Sequence, residues 1–212
     1  MTVMTEHQNK TTAPGHPQHA SELTFRQATL SDAPFIALIM MEAVGVPLME
    51  QGKLPEDGIT DICRREDTLY SYRNAVIAEI DGKPVGGLIS YNGKGYHDIK
   101  VHTFSLVREN LPFNPDDMDD ETREGEYYLD SAAILPEYRG KGYGRQVIKY
   151  GIGLARKLNL LPILACDPEN RNAYGLYSSL GFKDSGRFFI FGEDYIRMSF
   201  PESDEFNPDS VK

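Results

Sequence analysis

The run Arg139-Gly140-Lys141-Gly142-Tyr143-Gly144 constrains this chain more than any other six residues. Before it stands Tyr127-Tyr128-Leu129-Asp130-Ser131-Ala132-Ala133-Ile134, a largely apolar stretch that predicts a strand. After it, from about Gly144 to Asn159, Val147, Ile148, Gly151, Leu154, Ala155 and Leu158 recur at i, i+1, i+4, i+7, i+8 and i+11. That spacing is one face of a helix. A strand that feeds a glycine-rich turn at a helix N-terminus brings unpaired N–H groups and the positive end of the helix dipole to one point. Glycines let the backbone approach a ligand closely there. Arg139 and Lys141 add two cations. The pattern predicts a phosphate or pyrophosphate cradle.

Glycine spacing narrows the ligand. A Walker loop needs G-x-x-x-x-G-K-[ST], and no such run occurs. A dinucleotide fingerprint needs G-x-G-x-x-G after the first strand of a βαβ unit. Here the spacing is G-x-G-x-G, two thirds of the way along the chain. What fits is R-x-x-G-x-G, carried by Arg139, Gly142 and Gly144. About 25 residues downstream comes Glu169-Asn170-Arg171-Asn172-Ala173-Tyr174-Gly175-Leu176-Tyr177-Ser178-Ser179-Leu180-Gly181-Phe182, which reads E-N-x-x-A-x-x-L-Y-x-x-L-G-F. Asn170 is a natural N-cap, Ala173, Leu176, Tyr177 and Leu180 share one helical face, and Gly181 is a natural stop.

With both motifs in this order, the chain resembles the GNAT superfamily of acetyl-CoA-dependent N-acetyltransferases, firmly over residues 127–182 and loosely over 23–200. The resemblance implies an α/β (α+β) fold with a mixed, mostly antiparallel central sheet flanked by helices. It implies acetyl transfer from acetyl-CoA to an amine, with no metal. Arg139, Gly140, Lys141, Gly142, Tyr143 and Gly144 would cradle the coenzyme pyrophosphate. The backbone of Ala133, Ile134 and Leu135 would pair with the pantetheine arm like an added strand. Asn170 would hydrogen-bond that arm, besides or instead of capping its helix. Tyr177 falls where the family commonly places a tyrosine near the sulfur, as general acid; the alternative is a core tyrosine.

The base is a departure. Some members carry a glutamate on the fourth strand, and a gapless alignment puts Tyr128 there. Asp130 lies two residues on, hence on the same strand face, and is the candidate base. Tyr127 and Tyr128 follow it through a water chain. Two other readings stand beside it: Asp130 only anchors a loop, or the acceptor's own pKa suffices. The missing glutamate also keeps open a second class, a non-catalytic acyl-CoA sensor or structural module.

The 212 residues predict one domain over 21–201, a disordered polar leader over 1–20 and a polar tail over 202–212. His7, His16 and His19 fall in the leader, where a solvated tail is expected rather than a metal site. A net charge of −10 argues against a nucleic-acid partner. No apolar run approaches a membrane span, which predicts no membrane partner. Two cysteines, Cys63 and Cys166, without a signal core predict reduced thiols in a cytoplasmic protein. The acceptor is expected to be a small-molecule or peptide amine, and a homodimer is left open.

Elsewhere the periodicity predicts a strand over 23–28 and a helix capped by Ser31 or Asp32 that runs to about Val44. That helix would bury Phe35, Ile36, Leu38, Ile39 and Met40. A weaker helix follows near 55–67, then a hairpin over 74–80 and 85–91. Within 92–126, a 35-residue insertion between the third and fourth strands, Tyr96, Ile99, Phe104, Val107 and Leu111 suggest one helix ended by Pro112. Four Asp and three Glu against one Arg follow from Asp116 to Glu126. They are read either as a mobile lid that attracts a cationic amine or as a solvated acidic loop. A strand over 161–166 and a closing hairpin over 188–191 and 195–200 complete the chain.

Overall fold

The computed structural model describes residues 22–43, 58–107 and 114–201. The expected leader and tail lie outside them, as do the start of the second helix and the Leu111–Pro112 stop. The strands are β1 (Leu23–Gln27), β2 (Ala75–Ile80), β3 (Lys83–Asn92), β4 (Glu126–Ile134), β5 (Leu161–Cys166), β6 (Lys183–Ile190) and β7 (Glu193–Ser199). The helices are α1 (Ala33–Ala43), α2 (Gly58–Arg64), α3 (Tyr96–Ser105), α4 (Tyr143–Lys157) and α5 (Arg171–Leu180). One seven-stranded sheet runs in the order β1-β2-β3-β4-β5-β7-β6. Every neighbouring pair is antiparallel except β4 and β5. This is the mixed, mostly antiparallel sheet that the sequence predicts.

Each face of the sheet carries its own core. Ile36 and Ile39 of α1 pack with Ile77, Ile89, Tyr128 and Ile163 on one face. Val147, Ile148, Ile152 and Ala155 of α4 pack with Leu88, Leu129, Leu164 and Met198 on the other. Full burial of such a side chain contributes roughly 1.5–3 kcal/mol, so each face holds its helix firmly. The buried side of α4 differs from the expected one. Ile152 replaces Leu154 at its centre, and Leu158 is 55% exposed. The reason is Gly151, where an added Cβ would stand 2.7 Å from Leu129 and 2.8 Å from Leu88. The helix therefore lies tightly on the sheet along the 147–148–151–152–155 stripe.

Other boundaries shift for local reasons. Neither Ser31 nor Asp32 caps α1. The chain enters through a 3-10 turn at Leu30–Asp32, and the Asp32 carboxylate accepts the Thr29 N–H at 2.8 Å. Within α1, Phe35 is only half-buried. β6 begins at Lys183, earlier than expected, because Lys183–Arg187 are exposed residues of an edge strand that pairs only with β7. Helix α3 ends at Ser105, well before Pro112, and Ile99 points outward.

The acidic run is partly pinned: Asp116, Asp117 and Glu124 are exposed, and the other four acids have partners. Asp119 accepts the Phe189 N–H at 2.7 Å, tying the segment to β6. Asp120 pairs with Lys100 at 2.6 Å and His97 at 3.0 Å. Glu126 pairs with Arg197 at 2.6 Å and Arg123 at 2.9 Å. Glu121 is buried, 5% exposed. For these four acids, fixed partners offset the mutual repulsion expected of the run.

Candidate active site

β4 and β5 start as neighbours and then part. Their ladder holds only Glu126 with Leu161, Tyr127 with Pro162 and Tyr128 with Ile163. Beyond it β4 continues to Ile134 and β5 to Cys166 without pairing to each other. The parting opens a cleft in the middle of the sheet. A cavity of about 200 Å³ sits there, lined among others by Tyr70, Glu121, Asp130, Ser131, Asn170 and Tyr177. The two cysteines are buried and free.

The predicted cradle stands at the far end of β4. Gly140 and Gly142 have φ of 75° and 81°, the left-handed region that favours glycine. No side chain caps α4, so its first N–H groups keep their capacity for a ligand. A Cβ built on Gly140, Gly142 or Gly144 meets nothing within 4 Å, so the loop fronts open space. The cations are partly committed. Arg139 donates through Nε to the Ile134 carbonyl at 2.8 Å and pairs with Glu42 of α1 at 2.5 Å. Lys141 lies over the Tyr138 ring at 5.4 Å. Arg145, in the first turn of α4, donates to Ser179 at 2.6 Å. Tyr143 opens α4 and is half-buried. Of the three backbone units expected to pair with a ligand arm, Leu135 already donates its N–H to the Val85 carbonyl at 2.9 Å. Ile134 and Ala133 face Gly86 and Gly87 on β3.

Asp130 occupies a β-bulge. Ser90 pairs with Leu129 and Ile89 with Ser131, which leaves Asp130 as the extra residue of β4. Both of its oxygens accept hydrogen bonds, from Ser131 Oγ at 2.6 Å and from Tyr91 Oη at 2.5 Å. Glu121 accepts from Tyr96 Oη at 2.8 Å and from Tyr128 Oη. Burial pushes Glu121 up to about 7, with the Asp130 charge adding to it and the two tyrosine bonds opposing. Burial also raises Asp130, against the Ser131 and Tyr91 bonds. Two carboxyls in one tyrosine-walled interior cannot both ionise cheaply.

Tyr177 faces the same cavity from α5. Its ring meets Phe182 edge-on at 6.1 Å. Burial, then the neighbouring Cys166, pushes its hydroxyl up to about 12. That hydroxyl has no hydrogen-bond partner among the described residues. Asn170 caps α5, its Oδ1 accepting the Ala173 N–H at 3.0 Å, while its Nδ2 has no partner among the described residues. The fold thus brings Asp130, Asn170 and Tyr177 to one cavity, with the 139–144 loop beyond it. Sequence reasoning missed Tyr70, Tyr91, Ser131 and the individual part played by Glu121. Only the Asp130–Ser131 adjacency was visible in the sequence.

A family model described as the acetyltransferase (GNAT) family matches residues 48–182. Among solved structures, an N-acetyltransferase from Staphylococcus aureus Mu50 superposes with a TM-score of 0.65 at 23% identity, covering 83% of this chain and 99% of that one. The yncA structure from Salmonella typhimurium, which holds its cofactor acetyl-CoA, superposes with a TM-score of 0.56 at 17% identity, covering 90% and 99%. At such identities the likeness speaks for the fold alone. No curated protein matches the chain.

Proposed function

The chain belongs to the GNAT acetyltransferase family, and on that premise we propose that it is an N-acetyltransferase acting between acetyl-CoA and an amine in the β4–β5 cleft. Acetyl-CoA would supply the acetyl group already activated as a thioester. The residues present fit it. The uncapped α4 N-terminus and the open front of Gly140, Gly142 and Gly144 suit a pyrophosphate. The edge of β4 left unpaired to β5 suits an extended arm, with Asn170 Nδ2 as a donor from the opposite wall.

Asp130 is the base in this reading. An amine attacks only when neutral, and a carboxyl raised above its ordinary value takes a proton more readily near neutral pH. Ser131 and Tyr91 hold it in one orientation. The bulge leaves Asp130 without a partner residue on β3, and backbone at this break would be the donor for the oxygen that gains negative charge during attack. Tyr177 is the acid. Its hydroxyl is protonated throughout the neutral range and bound to no other described group, so it can donate to the departing sulfur.

One observation carries the reading. A hydrogen-bonded carboxylate on β4 and a hydroxyl on α5 without a partner among the described residues face one cavity where the sheet parts. The test is release of free thiol from acetyl-CoA with a panel of amines, with acetylated product identified by mass. Product from any amine supports the enzyme. Thiol release from none would leave a coenzyme-binding module.

A further inference from the structure

We propose that the acceptor is a small primary amine that enters as its ammonium ion, held by Glu121, Asp130 and the Tyr70 hydroxyl, and that amines bearing a carboxylate beside the nitrogen are rejected. The proposal rests on the N-acetyltransferase reading above and names its substrate class.

The first support is an imbalance of charge. Glu42, Glu121, Asp130 and Asp167 line the cavity, and no Lys, Arg or His does so among the described residues. Glu42 is answered by Arg139. Asp167 accepts the Glu169 N–H at 2.8 Å. Neither Glu121 nor Asp130 forms an ion pair among the described residues, and Lys100 acts on Glu121 only through its charge, without a bond. The cation nearest in the fold, Lys100 on α3, spends its ammonium on the Met118 and Asp119 carbonyls and on Asp120.

The second is unfilled acceptor capacity. An ionised carboxylate offers about four lone-pair sites. Glu121 receives two hydrogen bonds, from Tyr96 and Tyr128. Asp130 likewise receives two, from Tyr91 and Ser131. About half of the capacity of each therefore remains for a donor from the cavity.

The third is independent of the acids. Tyr70 is 6% exposed, lines the cavity, and its hydroxyl has no hydrogen-bond partner among the described residues. Its oxygen opens on the cavity and is free to bond a group placed there. Two carboxylates and one phenol oxygen match the three N–H donors of a primary ammonium. The acceptor shares this cavity of about 200 Å³ with the acetyl group, which favours a small amine. The aromatic walls of Tyr128 and Tyr195 also favour a cation over an anion. An acceptor carboxylate would instead meet Glu121 and Asp130 as like charges.

Without the ligand, the pair avoids two buried charges by keeping a proton, and an incoming ammonium displaces it. The groups that face the pair are Tyr70, Tyr91 on β3, Tyr96 and Lys100 on α3, Tyr128 on β4, Tyr195 on β7 and Glu42 on α1. Burial pushes the five tyrosines upward, away from the range in which the pair titrates.

The test uses the full chain with glycine methyl ester and n-butylamine as cationic probes and glycine as the acidic comparison. Both probes are expected to be acetylated with kcat/KM at least about tenfold above glycine. In Glu121→Gln, which keeps an acceptor for Tyr96 or Tyr128 and loses the charge, KM for butylamine should rise about tenfold with coenzyme affinity unchanged. Tyr70→Phe should raise it about threefold. Butylamine titrated calorimetrically at about pH 6, in buffers of different ionisation enthalpy, should release close to one proton in the wild type and none in Glu121→Gln. Glycine turned over as well as its ester overturns the proposal, and so does an unchanged KM in both variants. Should Glu121→Gln fail to fold, Tyr70→Phe and the glycine comparison decide. Absence of transfer to every amine sinks the N-acetyltransferase reading instead.

Discussion

The two ends of the cleft are built differently. The end read as the coenzyme site is backbone from six consecutive residues, Arg139 to Gly144, at one helix N-terminus. The end read as the acceptor site is side chains gathered from Tyr70, Tyr91, Tyr96, Glu121, Tyr128 and Asp130, which stand on five separate stretches of chain. A ligand that is the same in every reaction can be held by geometry that only glycine permits. A ligand that must be chosen needs charge and hydrogen bonds, and these are assembled by the fold. Losses on the first side should therefore fall on coenzyme affinity, and losses on the second on turnover and acceptor KM.

Asp130→Asn should break the comparison most sharply. Removing a general base costs about 10²–10⁴-fold in rate. In the wild type the rate should rise with pH as Asp130 loses its proton, through a range above the ordinary carboxylate value because burial raises it. The variant should lose that acidic limb. Two amines of different pKa must be compared, and a limb that follows the amine and survives in the variant removes Asp130 from the mechanism.

Tyr177→Phe keeps the ring against Phe182 and takes away the proton. Turnover should fall roughly 10²-fold while calorimetric coenzyme affinity stays constant. A turnover number equal to wild type would make Tyr177 a packing residue.

Glu121 links the comparison to stability. Its proton is held more tightly in the folded chain, up to about 7, than in the unfolded one. The stability this confers is fully present below the unfolded carboxyl range and is lost as pH rises through the folded value. The loss should be on the order of 2–3 kcal/mol between about pH 4 and pH 7. Asp32 has the opposite sign: the Arg26 bond holds it down to about 2, so its contribution fades only as pH falls toward that value. Thermal midpoints across this range should decline in the wild type and flatten in Glu121→Gln. Parallel curves for the two proteins would show that Glu121 titrates as it does unfolded.

On the coenzyme side the effect is smaller. Gly142→Val forces a β-branched residue to a φ of 81° at the mouth of the cradle. Acetyl-CoA affinity should fall about tenfold or more, with acceptor KM unmoved. Unchanged calorimetric affinity in a folded variant would defeat the cradle.

This asymmetry also explains what could be read from the sequence. β4, β5, α4 and α5 were legible because each motif is contiguous and its period is unbroken. Gly142 announces itself, since few residues tolerate its conformation. Glu121 does not, because in sequence it is one of seven acids and only the meeting of Tyr96 from α3 and Tyr128 from β4 on its carboxyl singles it out. Tyr70 carried no signal either: it lies in a connection without periodicity, and its significance is a hydroxyl that opens on the cavity without a partner among the described residues. The parting of β4 and β5 is likewise invisible, because strand pairing is non-local. Leu158 fits the apolar period but is exposed, because close seating at Gly151 turns the buried stripe of α4 toward Ile152.

The smallest expected effect separates charge from placement. Asp117 and Glu124 belong to the same acidic run as Glu121 but are exposed, Glu124 at 76% with only a 3.4 Å contact to Lys94. Exposed charges are screened over about 10 Å at 0.1 M ionic strength. If acidity of the segment as a whole drew the acceptor in, Asp117→Asn with Glu124→Gln would raise the KM of a cationic amine, most at low salt. If placement matters, that double variant should change KM by less than about twofold, although it removes twice the charge of Glu121→Gln. Michaelis constants for butylamine at low and moderate salt decide between them. A large, salt-sensitive rise in the surface variant would return the acidic run to the role of a diffuse attractor and erase the contrast on which the acceptor site is drawn.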